Sequence, residues 1–228
     1  MEVYSVFQGF PRETISFFLD LRFHNDKSFM DANRDRYVRD VRDPFYAFIM
    51  DLGQKMLLID SDFEVRPHKC LSRINRDTRF SRDKSPYRDH LWVAFRRAAG
   101  EKDGMPFYWF ELAPEGVSWG LGVWGENRNL MDRMRRQMEA NPESFEKLLP
   151  CLDEAGFVLG GQMWKKMKAP DSIPASVKNL YLMRTLYFSK AETQMKWVYQ
   201  KSLVNRVAKD FFAMAPVYRM LRGCIEQD

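Results

Sequence analysis

The chain is organised around residues 71–97, which read LSRINRDTRFSRDKSPYRDHLWVAFRR. A short strand pattern opens this segment, a loop dense in charge follows, and the apolar stretch LWVAF predicts a second strand. Between Leu71 and His90 stand six basic and three acidic side chains, an excess of about three positive charges. So much positive charge between two apolar strands predicts that the functional site lies in this loop.

The pattern on either side of the central segment predicts a mixed fold, in which helical spacing gives way to alternation and then returns. The predicted elements are a helix over 11–23, helices from 26 or 27 to 56, a strand at 91–95, a β-hairpin over 105–113 and 116–124, helices up to 156 with a kink or split at Pro150, short strands within 157–168 and 180–190, and a C-terminal helix bent near Pro216. We therefore predict an α+β fold, with residues 1–228 as a single domain whose antiparallel sheet packs against N-terminal and C-terminal helices.

Two local patterns carry finer expectations. Basic and acidic side chains alternate over residues 31–43, which is typical of a solvated helix with ion pairs along its surface. Gly120 and Gly122 lie inside a predicted hairpin strand, where glycine marks a bulge or the close approach of another group.

Composition restricts the class of protein. With 228 residues, 45% of them hydrophobic and 14% aromatic, the chain can bury a large core, and wholesale disorder is not expected. The net charge of +5 suits an anionic partner but is also ordinary for a soluble protein. Cys70, Cys151 and Cys224 are odd in number and far apart, so they predict neither a disulfide framework nor a zinc site, and a reducing compartment is expected.

The N-terminal residues MEVYSVFQGF have neither a basic region nor a long apolar run. We therefore expect no signal peptide, no membrane partner and a cytoplasmic location. The sequence has no P-loop, and we also expect no dinucleotide fingerprint, no Gly-x-Ser-x-Gly elbow and no cofactor. His24, His68 and His90 are far apart in sequence, so we expect no metal site.

The chain resembles a bacterial and fungal family known as domain of unknown function 2461. The stretches that carry the resemblance are GFPRETISFFLDLRFHNDKSFMDANRDRY near the start, SRINRDTRFSRDKSPYRDH in the centre, the hairpin ending GVSWGLGVW, and the arginine-bearing helix with its NPESF turn. The resemblance implies a compact α+β domain and no particular activity. Its pattern falls on Asn33, Tyr37, Arg73, Arg76, Asp77, Arg79, Phe80, Ser81, Asp83, Lys84, Pro86, Tyr87 and His90. Phe29 and Met30 depart from it, since Trp followed by Phe is common there, and this changes packing more than chemistry.

Three hypotheses compete for the central loop, and the first is a site for an anionic small molecule. Arginine guanidinium groups bind phosphate or carboxylate oxygens in pairs, and a lysine acts as a point charge. The residues assigned to this site are Arg73, Arg76, Arg79, Lys84 and His90, with Asp77, Asp83 and Tyr87 behind them as supporting residues.

The second hypothesis is an enzyme site, with Asp77 or Asp83 as general base, His90 as acid or base, and arginines that stabilise developing charge. The third is a network of Arg–Asp pairs that satisfies itself and only fastens the loop to the sheet. A nucleic-acid-binding module that uses the loop and the Arg128–Arg136 helix is a further alternative. A small anion is favoured over nucleic acid as the partner, because acids interleave with the basic residues of the 31–43 helix.

Overall fold

Helices fill the chain before the central segment in the computed structural model, which describes residues 6–98 and 104–226. Their apolar positions recur every three or four residues, as at Phe17, Phe18 and Leu21, whose side chains are fully buried. The first helix begins at Arg12, one residue after the predicted start at Pro11. The Asp26 carboxylate caps the second helix. The helices are α1 (Arg12–Phe23), α2 (Lys27–Ala32), α3 (Arg34–Tyr37), α4 (Asp43–Met56) and α5 (Pro67–Cys70).

A single π-helical turn, Val38–Arg42, joins α3 to α4. It buries Asp40, and the backbone oxygen of Asp40 accepts a hydrogen bond of 2.5 Å from the Thr14 hydroxyl of α1. The predicted ion pairs are present, as between Arg39 and Asp40 at 2.7 Å. The prediction of a fully solvated surface is wrong at Asp40 and Val41, because the wider turn directs both side chains inward.

The strands form one antiparallel sheet, which has five strands over the described residues, in the order β1-β2-β3-β5-β4. β1 lies beside β2 of the hairpin, so the predicted neighbourhood of the 91–95 strand and the hairpin is confirmed. The strands are β1 (Leu91–Phe95), β2 (Pro106–Ala113), β3 (Gly116–Val123), β4 (Val158–Gly160) and β5 (Tyr187–Glu192). The α+β class with its antiparallel sheet is therefore confirmed.

The remaining helices follow the hairpin. Helices are interrupted where proline predicts it: α7 ends at Glu146 and α8 begins at Leu149, just before Pro150, and the C-terminal helix is broken just before Pro216. These helices are α6 (Arg128–Ala140), α7 (Pro142–Glu146), α8 (Leu149–Glu154), α9 (Ala175–Tyr181), α10 (Leu203–Ala213) and α11 (Ala215–Glu226), with a 3₁₀ turn at Lys196–Tyr199. Over the described residues, no helix has the length and apolar character needed to span a bilayer.

The chain divides into two compact units. Unit 1 comprises Met1–Phe95, Trp109–Ser118 and Ala191–Ala208. Its core is aromatic: Phe10 lies 4.7 Å from Phe45 between ring centroids, and Phe48 lies 4.8 Å from Phe110. Residues 71–95 of the central segment belong to this unit, where α4 and α5 contact β1 and Arg22 of α1 contacts Asp89.

Unit 2 comprises Arg96–Tyr108, Trp119–Lys190 and Lys209–Asp228. The buried Tyr108 ring contacts Phe211 at 4.9 Å and Tyr218 at 5.5 Å, so both C-terminal helices pack on the start of β2. A buried hydrogen bond of 2.8 Å joins the Trp119 indole to the Asp210 carboxylate. That residues 1–228 form a single domain stays a prediction.

Candidate anion site

An irregular hairpin carries the charged loop. Its two arms are held by the bridges Leu71 with Val93 and Asn75 with Tyr87, and by a 2.8 Å hydrogen bond from the Arg76 N–H to the Pro86 carbonyl. The strand predicted at the start of the segment is thus reduced to isolated bridges, because the arms pair at only a few positions. The closing hydrogen bond leaves residues 77–85 as the projecting loop.

The returning arm of this hairpin contains a bulge. The Ser72 N–H donates to the Trp92 carbonyl at 2.9 Å. The Arg88 N–H donates to the Ile74 carbonyl at 2.8 Å. Three residues therefore lie between Arg88 and Trp92, where the opposite arm has one. Bulges redirect side chains away from the regular pattern, and here the redirected residues are an acid and an imidazole.

Asn25 fixes the hairpin against the N-terminal helices. Its side-chain oxygen accepts from the Tyr87 N–H at 2.9 Å, and its side-chain nitrogen donates to the Tyr87 carbonyl at 3.0 Å. The Tyr87 ring is buried. Tyr87 thus supports the loop from behind through its backbone and its packing, in the supporting position predicted for it.

Two of the predicted cations, Arg79 and Lys84, form hydrogen bonds within the loop itself. Arg79 forms a forked pair with Asp77, with Nη2 to Oδ2 at 2.6 Å and Nε to Oδ1 at 3.0 Å. The Lys84 ammonium donates to the Thr78 carbonyl at 2.9 Å. Both cations are exposed at the loop surface, and each bonds to a group of the same loop.

The two predicted acids serve as braces. Hydrogen bonds from Arg79 lower the pKa of Asp77 to about 2. Hydrogen bonds from the Ser85 hydroxyl and then from Arg76 lower the pKa of Asp83. Carboxylates held in the charged form in this way are weak proton acceptors. The geometry therefore gives no support to either acid as a general base.

Arg88 differs from the other arginines of the hairpin. Its guanidinium lies 4.7 Å from the centroid of the Trp92 ring, and its Nε is buried without a hydrogen-bond partner. Within residues 6–98 and 104–226, no carboxylate pairs with it. Burial, and then the nearby positive charge of Arg76, lower the pKa of Arg88. Arg88 is thus a half-buried cation that the positive charge of Arg76 repels.

His90 lies on the bulge next to Arg88. Its ring stacks on Trp92 with centroids 6.0 Å apart, and its Nδ1 lies 3.0 Å from Oδ1 of Asp89. The other Asp89 oxygen accepts from Arg22 Nε at 2.5 Å, and Arg22 also pairs with Glu115. This chain of contacts orients the imidazole so that Nε2 is left facing away from its carboxylate partner.

We name Arg76, Arg88, His90 and Trp92 the Arg88 cluster. Of the predicted site residues, the structure brings Arg76 and His90 into it, whereas Arg79 and Lys84 lie on the projecting loop and Arg73 is exposed on the first arm. Sequence reasoning missed Arg88 and Trp92 as site residues. The available signal was the count of six bases against three acids, since at least some of those cations must lack a carboxylate partner within the segment.

The helix invoked for nucleic-acid binding has arginines with structural roles. Arg135 is buried and donates to the Tyr181 carbonyl at 2.9 Å and the Met183 carbonyl at 2.5 Å. Arg133 donates to the Ile225 carbonyl at 2.8 Å. These contacts fasten α6 inside unit 2, so the helix does not present its arginines as one continuous basic face.

Two short motifs overlap at the end of the hairpin, so the expectation that the chain has neither an elbow nor a dinucleotide fingerprint is wrong as to the letters. Residues 116–120, GVSWG, have the letters of a nucleophile elbow, and residues 120–125, GLGVWG, have those of a dinucleotide fingerprint. Ser118, Gly120 and Gly122 lie within β3 of an antiparallel sheet. An elbow needs a strand-to-helix turn at the serine, and the fingerprint needs a parallel βαβ unit. Neither motif has the structural context that would give it a function.

Metal binding finds no support in the part of the chain that the structure describes, where no group of three or more His, Cys, Asp or Glu could hold an ion. The family expectation is confirmed: a family model described as "Conserved hypothetical protein (DUF2461)" matches residues 13–220. That description names no activity. A search of curated proteins gave no match.

Proposed function

The chain belongs to the DUF2461 family of conserved hypothetical proteins, and we propose that it binds a small anion bearing phosphate or carboxylate at the Arg88 cluster. The observation that carries the proposal is Arg88 itself. A half-buried guanidinium without a carboxylate, next to a second arginine, is an unfavourable arrangement unless an anion completes it. Evolution can place such a group at a binding site, where the ligand supplies the missing charge.

The chemistry of the cluster favours an oxyanion. The flat guanidinium of Arg88 can donate two parallel hydrogen bonds to a pair of oxygens. Arg76 donates from Nη1 to Asp83. Its positive charge also acts at Arg88, whose pKa it lowers, so it would attract an anion bound there. His90 adds a ring nitrogen that can donate when protonated. Phosphate and carboxylate both satisfy this set.

The projecting loop has a secondary role in this proposal. Arg73, Arg79 and Lys84 are exposed, so they contribute a positive field that attracts the anion and do not enclose it. Asp77 and Asp83 hold Arg79 and Arg76 in place. The site of the anion thus lies on the arms of the hairpin and not at the tip of its loop.

Calorimetric titration with inorganic phosphate and with citrate tests this function on the full chain. We expect wild type to bind at least one of them, and Arg88→Met to lose at least tenfold in affinity. Arg82→Met is the matched control, because Arg82 is an exposed arginine on the projecting loop of the same hairpin, and it should bind like wild type. If no anion binds wild type, or if both variants bind equally well, the proposal fails.

A second candidate function is acid–base catalysis at the same cluster. The observation that favours it is the Asp89–His90 hydrogen bond with Asp89 fastened by Arg22, since a carboxylate that fixes an imidazole tautomer is a recurrent catalytic arrangement. In this reading His90, and neither Asp77 nor Asp83, exchanges the proton. Hydrolysis of p-nitrophenyl phosphate or p-nitrophenyl acetate that disappears in His90→Gln would support it, and equal rates in both proteins would exclude it.

The remaining alternative is a purely structural network. It is favoured by the forked Arg79–Asp77 pair and by the Arg76–Asp83 pair, which need no ligand. It makes Arg88 a packing residue for Trp92. The calorimetric experiment separates this alternative, because a structural Arg88 predicts no anion binding in wild type.

A further inference from the structure

A second charged surface lies in unit 2, remote in sequence from the hairpin. Trp164 is flanked by two guanidinium groups, with Arg184 5.1 Å and Arg128 5.9 Å from the ring centroid. Arg128 opens α6, and Arg184 precedes β5, so three separate segments meet at one indole. A planar cation over an aromatic face is a stable arrangement that leaves the outer guanidinium face available for stacking.

Backbone contacts hold this surface in one conformation. The Trp164 N–H donates to the Leu182 carbonyl at 2.9 Å, and Met163 forms a bridge with Met183. The Gln162 N–H donates to the Thr185 hydroxyl at 2.8 Å. The indole is therefore presented by a paired backbone and not by a free loop.

Lysines extend the surface along the chain. Lys165, Lys166 and Lys168 follow Trp164 directly, and all three side chains are exposed. Within residues 6–98 and 104–226 none of the three has an ion pair. The acid that contacts the group is Glu126, which pairs with Arg184 at 2.5 Å. Over the described residues these five cations thus share one carboxylate partner, an imbalance unlike the interleaved charges of the 31–43 segment.

An exposed aromatic side chain borders the same surface. Trp124 is 71% exposed. It lines an open depression of about 380 Å³ together with Glu126, Asn127 and Arg128. An indole of this exposure, beside Arg128, offers a second flat face for a ligand ring.

We propose that this surface, the Trp164 patch, binds single-stranded nucleic acid. We define the patch as Trp124, Arg128, Trp164, Lys165, Lys166, Lys168 and Arg184. Lysines that lack acid partners match the phosphate backbone, and the indole and guanidinium faces stack unpaired bases. A duplex keeps its bases stacked inside and cannot use these faces. An anionic membrane would use the charges but would leave the two aromatic planes without a role.

Fluorescence anisotropy with a labelled oligouridine of about twelve nucleotides tests the proposal on the full chain. We expect binding at about 50 mM salt that weakens as salt rises. Replacing all three lysines, Lys165→Ala, Lys166→Ala and Lys168→Ala, should reduce the slope of log affinity against log salt by about 2. Trp124→Ala should lower affinity about fivefold or more and leave that slope unchanged, because stacking does not release counterions.

A matched triple variant provides the control: Lys27→Ala, Lys69→Ala and Lys201→Ala remove the same charge from exposed positions of unit 1. This control should bind the strand like wild type. The proposal is overturned if wild type fails to bind the strand, if it binds duplex of equal length as tightly, if it binds only phosphatidylserine vesicles, or if the control lowers the salt slope as much as the patch variant.

Discussion

Arg79 and Arg88 belong to one hairpin, yet only Arg79 has a carboxylate. Asp77 stands two residues before Arg79, close enough for a forked pair within one turn. Arg88 instead lies at a bulge whose acid, Asp89, turns to Arg22 and His90. Spacing along the chain is therefore enough to predict that Arg79 pairs with Asp77. Arg88 lacks a carboxylate because Asp89 contacts Arg22 of α1, and this long-range contact could not be predicted from the sequence.

The unpaired state of Arg88 gives a prediction for stability in the absence of any anion. Arg88→Met removes a cation that Arg76 repels, while the methionine can still pack on Trp92. We expect the free energy of unfolding in anion-poor buffer to lie within about 1 kcal/mol of wild type or above it. Urea denaturation measures it, and a larger loss would show that Arg88 is a structural cation.

Asp89 gives a prediction for pH dependence. Burial raises its pKa, but hydrogen bonds from His90 and Arg22 outweigh burial, so the pKa is lower in the folded than in the unfolded chain. A lowered carboxylate pKa stabilises the fold above about pH 4, and this contribution is lost as pH falls through the folded pKa. Asp89→Asn should therefore be destabilised at pH 7 and approach wild type at pH 3.

Urea unfolding of both proteins at the two pH values measures this difference. The exposed Asp171→Asn serves as the control and should follow wild type at both. A difference between wild type and Asp89→Asn that is constant from pH 7 to pH 3 would contradict the assignment of Asp89 to the Arg22–His90 contacts.

At the scale of helices and strands, prolines predicted where helices are interrupted, and a glycine predicted where two strands approach closely. Pro150 and Pro216 mark real interruptions, because proline lacks the N–H that a continuous helix needs. The π-helical turn at Val38–Arg42 and the helix α9 were not predicted. The apolar residues of α9 run directly into those before β5, and periodicity alone does not divide such a run.

Gly122 shows what a glycine inside a strand accomplishes here. A Cβ at this position would lie 2.4 Å from the Tyr187 Cβ and 2.7 Å from the Leu186 carbonyl, so β5 approaches β3 closely, as one of the sequence alternatives predicted. Gly122→Ala should lower the free energy of unfolding by about 1–3 kcal/mol.

Gly223 is the matched control for this substitution. It lies within α11 and has no atom within 4 Å of an added Cβ, so Gly223→Ala should raise the free energy of unfolding by up to about 1 kcal/mol. Denaturant titration of the two variants measures both effects. Equal effects of the two substitutions would show that the strand contact at Gly122 is not restrictive.

For the molecule as a whole, the α+β class and the position of β1 beside the hairpin follow from sequence because strand patterns joined by short connections tend to be neighbours. The two charged surfaces, in contrast, could not be predicted from the sequence. The Trp164 patch draws on residues 128, 164 and 184, and the Arg88 cluster depends on a bulge and on a helix more than sixty residues earlier. Such assemblies require tertiary structure.

The central claim is that an anion completes the Arg88 cluster, and a crystal of the full chain soaked in tungstate tests it most directly. Tungstate is a tetrahedral oxyanion like phosphate, and its metal gives an anomalous signal that locates it without ambiguity. The account predicts an anomalous peak with oxygens within hydrogen-bond distance of the Arg88 guanidinium, and no such peak in Arg88→Met crystals. Tungstate bound only at the projecting loop around Arg79 and Lys84, or nowhere on the hairpin, would contradict it.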